Sequence, residues 1–290
     1  MPIKSIFVPF LSKQDASVGF KAAAVIAEKF DAHIAAASMR QRPLSAGVVY
    51  FPLGGVYPLG DDDALKRAEE KNVSKLRLQF DDLCDEHGVG INDIARHSDA
   101  KGATASWRDL KGRIPEDLAR TASSFDLAVA AAPGPDDKKF QWRLVEELLF
   151  SSGRPLFLSP KEGVERFPNR IVIAWNGSVE AAAAIAAALP FMKYADMVKI
   201  LSVHDISKRN TSTTDLAASL RLHGVDTSET EIELEKGQDH IDVMVHEVVE
   251  ASADLVVMGA YSHNRWREAV FGGFTRHMLK TTAAPMLMAR

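Results

Sequence analysis

One pattern occurs twice in this chain, and that repetition limits what it can fold into more than any other feature. Near the amino terminus, Ile6-Phe7-Val8-Pro9-Phe10 reads as a short buried strand, Ser12 to Asp15 as a capping arrangement, and 16–30 as an alanine-rich helix. Far downstream, Ile171-Val172-Ile173-Ala174-Trp175 is again a buried strand, followed by Asn176-Gly177-Ser178 and a second alanine-rich helix to about residue 189. The next strands correspond as well, 32–38 with 197–203. Toward the end of each half, Phe125-Asp126-Leu127-Ala128-Val129 matches Ala253-Asp254-Leu255-Val256-Val257, and Arg154-Pro155-Leu156-Phe157-Leu158 matches Ala284-Pro285-Met286-Leu287-Met288.

Helical stretches at 61–87, 113–123, 214–223 and 240–252 separate these apolar runs. Strands without polar alternation, interleaved with helices, indicate a parallel sheet covered on both faces. Right-handed crossovers then predict an α/β chain of two tandem, doubly wound, five-stranded parallel sheets. At 290 residues the length suits two domains. A linker at 159–169, carrying Pro160 and Pro168 among charges, divides them into 1–160 and 168–290.

Composition narrows the function classes. A net charge of −4 argues against a nucleic-acid surface, which needs clustered excess Lys and Arg. No apolar run approaches the ~20 residues that span a bilayer, and Met1-Pro-Ile-Lys-Ser-Ile has no signal-peptide core. Cys84 is the only cysteine, so no disulfide forms within one chain and a cytoplasmic location is expected. His240 and His246 lack the spacing to share a helix face, and no cysteine stands near them to suggest a metal site. The stretch 42–63, with Pro43, Gly47, Pro52, Gly54, Gly55, Pro58 and Gly60 among Val48, Val49, Tyr50, Phe51 and Tyr57, reads as a long connecting loop. Its alternative role is a lid or partner-docking segment, since loops this long are uncommon without one. Asp61-Asp62-Asp63 reads as helix capping rather than a cation site.

The stretch 258–280 carries the chemistry. A buried strand ends at Gly259, a short polar loop follows, and a brief helix is broken by Gly272-Gly273 before a new one starts at about Phe274. Paired glycines let a backbone approach a ligand closely, and a helix start presents unpaired N–H groups, so the combination suits a phosphate. Thr275 adds a hydroxyl, and Arg265 and His263 add positive charge. This run resembles the universal stress protein signature, Gly-x2-Gly-x9-Gly-(Ser/Thr), with Gly259, Ser262, Gly272 and Gly273 at the matching positions. Ser262 replaces the second glycine and Gly273 the hydroxyl residue.

The resemblance covers both halves. It implies the adenine nucleotide alpha hydrolase-like fold, a stress-response role, and ATP, with or without Mg2+, bound where the first and fourth strands of the second half diverge. It places Ala174 and Asn176 at the base and ribose, Asn176 standing for the family's Asp, and brings the Val203 backbone to the adenine. It also implies that the edge strands at 155–158 and 285–288 pair between halves or between chains, so a homodimer is one expectation. The first half departs from the signature: Leu11 stands in the acidic position, and Trp142 and Arg143 replace the paired glycines. One nucleotide site per chain is therefore expected. Two alternatives are a dimeric scaffold with a vestigial loop and a slow ATPase or self-phosphorylating protein using Thr275 or Ser262. No catalytic triad, Walker lysine or paired-carboxylate motif supports the enzyme reading.

Overall fold

Apolar runs too short for helices form the strands, and the alanine-rich stretches lie across them. The computed structural model describes residues 2–41, 48–50, 56–58, 62–93, 101–133, 139–204, 212–260 and 284–290. In the first half these are β1 (Ser5–Pro9), α1 (Lys13–Phe30), β2 (His33–Gln41), β3 (Val48–Tyr50), β4 (Val56–Pro58), α2 (Asp62–Glu86), β5 (Gly90–Ile91), β6 (Thr104–Gly112), α3 (Glu116–Ala122), β7 (Leu127–Ala131), α4 (Lys139–Ser151) and β8 (Leu156–Ser159). The second half gives β9 (Arg170–Ala174), α5 (Val179–Met192), β10 (Met197–His204), α6 (Thr213–Leu222), β11 (Ser228–Glu233), α7 (His240–Glu250), β12 (Leu255–Gly259) and β13 (Met286–Ala289).

The strand order is β11-β10-β9-β12-β13-β8-β7-β1-β2-β6-β5, with β3 and β4 forming a separate hairpin. Within each half neighbouring strands are parallel, and the winding reverses between the first and fourth strands, β1 and β7 or β9 and β12. The halves meet where β8 and β13 pair antiparallel, Phe157 opposite Leu287, so the two expected sheets are one. The seam is therefore intramolecular, one of the two pairings that the resemblance implies.

The repetition extends to single hydrogen bonds. Asp126 Oδ2 accepts from the N–H groups of Lys4 and Ser5, both at 2.9 Å, and fixes the start of β1. Asp254 Oδ1 accepts from Asn169 and Arg170, at 3.0 and 2.6 Å, and fixes β9 in the same way. Phe10 N donates to Ala37 O at 2.8 Å, and Trp175 N to Leu201 O at 2.9 Å.

Ser12 caps α1, accepting from Asp15 N at 3.2 Å, and Ser178 caps α5, accepting from Ala181 N at 3.1 Å. Alanines at 22, 23, 24 and 27 of α1 and at 181, 184 and 188 of α5 are buried, and their small side chains seat both helices close to the sheet. Across the seam Phe30, Phe167 and Phe191 pack with centroids 5.4–5.6 Å apart, so the connecting segment is wedged between α1 and α5.

Three elements depart from the sequence reading. The third strands, β6 and β11, carry the sequences TASWRDLKG and SETEIE and show no apolar run. Both lie at or next to the ends of the sheet, where one flank faces solvent. The 42–63 stretch contains the β3–β4 hairpin, Val49 opposite Tyr57, rather than being wholly a loop. The side chains of Asp61, Asp62 and Asp63, read as caps, lie outside the described residues.

Cys84 is fully buried, and burial pushes its thiol up to about 12, which leaves negligible thiolate at neutral pH. Among the described residues no helix is long and apolar enough to cross a membrane.

Candidate functional site

Parallel strands in register bring their carboxyl ends to one edge of the sheet. Ala174, the last residue of β9, sits between Leu201 of β10 and Met258 of β12. Val203 therefore lies two residues beyond that row on one side and Gly259 one residue beyond it on the other. Asn176 follows Ala174 as the chain leaves the sheet. Four of the residues singled out from sequence, Ala174, Asn176, Val203 and Gly259, thus converge where the winding reverses, the place where open α/β sheets receive ligands.

Local chemistry explains each placement. Asn176 is exposed, and its Oδ1 accepts from Ser178 N at 3.1 Å, a turn that Gly177 completes at φ 73°. That turn starts α5, whose first residues lie against the end of β12. A Cβ on Gly259 would fall 2.4 Å from Ala181 N and 2.7 Å from the Glu180 carbonyl carbon. Glycine at 259 is what allows strand and helix start to touch backbone to backbone. Val203 is buried, and its carbonyl accepts from His240 Nε2 at 3.0 Å. Trp175 points to the opposite face, is half-buried among the α5-side apolar residues, and has an indole N–H with no acceptor among the described residues. Ser262, His263, Arg265, Gly272, Gly273, Phe274 and Thr275 lie outside the described residues.

His240 was not legible from the residue types alone. Its signal was positional: Asp239 caps α7 by accepting from Ile241 N at 2.6 Å. A helix that follows a parallel strand begins at the carboxyl edge, so the first residue of α7 had to stand there.

The matching crevice of the first half is lined by different residues. Leu11 is buried in an apolar cluster with Ile114, Trp142 and Val145, and Trp142 is only 6% exposed. Arg143 turns outward to pair with Glu116. A partly open pocket of about 30 Å³ lies there between the ends of β1 and β7, beside Leu11, Ser12, Asp15, Phe140 and Gln141. Among the described residues no group of three His, Cys, Asp or Glu side chains is placed to hold a metal ion.

No family model matches the chain. A universal stress protein of Synechocystis sp. is 24% identical over 177 residues, which cover 57% of this chain and 58% of that protein's length. A universal stress protein structure from Archaeoglobus fulgidus DSM 4304 superimposes with a TM-score of 0.71 at 12% identity, over 99% of this chain and 98% of its own. The chain is a tandem of two universal stress protein folds. A putative universal stress protein from Pseudomonas aeruginosa UCBPP-PA14 has a TM-score of 0.55 at 15% identity, over 99% of this chain and 93% of its own. Both alignments run the whole length, so the likeness of fold extends over both halves of the chain.

Proposed function

We propose that this chain, with its tandem universal stress protein fold, is a stress-response protein that binds one adenine nucleotide, ATP, in its second half. The observation that carries the reading is the contrast between the two carboxyl-edge crevices. The second presents Ala174, Val203, Asn176 and Gly259 together, whereas the first puts the apolar Leu11 where the second has Asn176 and lines its crevice with Leu11, Leu144 and Val145. An apolar wall beside an exposed amide and close backbone suits a planar base on a ribose. Gly272, Gly273, Thr275 and Arg265 would hold the phosphates, with Mg2+ carried on them. The described part of the site supplies binding groups, and the proposal is of binding. Residues 1–160 and 168–290 are read as two units sharing one sheet. With β8 and β13 already paired, a dimer of chains has to use another surface.

Ligand-free protein is expected to be stabilised by about 2.7 kcal/mol when ATP with Mg2+ reaches 100 times its Kd. For a chain of this size that is a rise in Tm of roughly 5–10 °C. Asn176→Leu, which copies the first half's residue, should lose most of the rise, and Arg265→Glu with Gly272→Val should lose all of it. No shift at millimolar ATP in nucleotide-stripped protein contradicts the proposal.

A further inference from the structure

Alternation along β10 fixes which way its carbonyls face. Leu201 O accepts from Trp175 N on the β9 side. Val203, two residues on, directs its carbonyl to that same side, above the point where β9 has left the sheet. Among the described residues no strand remains there to use this acceptor, and His240 Nε2 takes it at 3.0 Å. A carbonyl oxygen only accepts, so Nε2 carries the proton and the tautomer or charged form is fixed by this contact. Asp239, by capping α7, holds the imidazole in position one residue after the cap.

We propose that His240 is a specificity-determining positioning residue: by committing the Val203 carbonyl, it weakens the crevice's preference for a purine with an amino group at C6 over one with a carbonyl there. The inference rests on the nucleotide reading of the second-half crevice. A 6-amino purine needs an acceptor at its edge, and Val203 O is the backbone acceptor that the end of β9 leaves uncovered on this side. With the imidazole donating to it, the amino group gains less there. With the imidazole gone, the bare carbonyl rewards the amino purine and leaves a 6-oxo purine facing an acceptor with an acceptor.

The test is the ratio of ATP to ITP affinity, two nucleotides that differ at C6, measured by calorimetry on the wild type, His240→Ala and His240→Gln. One gained hydrogen bond raises the ratio roughly five- to tenfold in His240→Ala. His240→Gln, whose amide N–H can donate to the same carbonyl, keeps the wild-type ratio, and a merely structural loss would move both affinities together. If His240→Ala does not fold, His240→Ser carries the same expectation. Binding of both nucleotides with an unchanged ratio overturns this proposal alone. Failure of every protein to bind either nucleotide overturns the nucleotide reading and this proposal with it.

Discussion

Gly259→Ala is expected to destabilise the protein by about 2 kcal/mol, a drop in Tm of roughly 4–8 °C, and to weaken nucleotide binding. The added methyl would sit 2.4 Å from Ala181 N, 2.7 Å from the Glu180 carbonyl carbon and 2.9 Å from Ala181 Cα. All three are backbone atoms, so no side-chain rotation relieves the clash and the first turn of α5 has to move. That turn is tied to Asn176 through Ser178, so the displacement passes into the crevice. Gly19 provides the control. A Cβ there meets Val8 Cγ1 at 3.4 Å and Ala130 Cα at 3.7 Å, ordinary contact distances. Gly19→Ala, inside α1, should be neutral or stabilising by up to ~1 kcal/mol, because alanine loses less backbone freedom in a helix. Thermal unfolding of the two variants beside wild type decides the point, and equal Tm values would refute it.

Phe157→Ala is expected to cost about 3–5 kcal/mol. Phe157 is fully buried at the antiparallel pairing of β8 with β13, the only one in the main sheet among the described residues, opposite Leu287. Its ring stacks on Phe191 at 6.1 Å and 17°, and Phe191 in turn packs on Phe30 and Phe167 from the other half and the connecting segment. Truncation therefore opens a cavity against both halves at once. Urea denaturation should show the midpoint falling for the whole chain. A loss below 1 kcal/mol, or a fall confined to one half, would mean that the seam contributes little.

Much of this architecture was readable because a doubly covered parallel strand has to be apolar on both faces. Ile6-Phe7-Val8, Ile171-Val172-Ile173, Leu127-Ala128-Val129 and Leu255-Val256-Val257 announce themselves for that reason. The third strands did not, since β6 and β11 lie at or beside the sheet's ends and carry Arg108, Asp109, Glu229, Glu231 and Glu233 on partly wet flanks. The hairpin was legible in principle: Val48-Val49-Tyr50 and Val56-Tyr57 flank Gly54-Gly55, strand formers about a turn. The fusion of two sheets into one was open, because apolar edge strands at 155–158 and 285–288 fit pairing within a chain as well as between chains.

At the site, spacing from Gly259 and the facing Asn176 sufficed to mark the crevice, because both follow directly from strand ends. The reason for glycine at 259 did not, since contact with Glu180 and Ala181 depends on how α5 lies on the sheet. The bond from His240 to Val203 joins residues 37 positions apart and has no local signature.

The central claim is that duplication produced two crevices and left one of them fit for a nucleotide. Calorimetric titration of nucleotide-stripped protein with ATP and Mg2+ tests it most directly. The expected result is one ATP per chain, bound much more weakly in Asn176→Leu, not at all in Arg265→Glu with Gly272→Val, and unchanged in Leu11→Asn. Two per chain, or none at millimolar ATP, would contradict it.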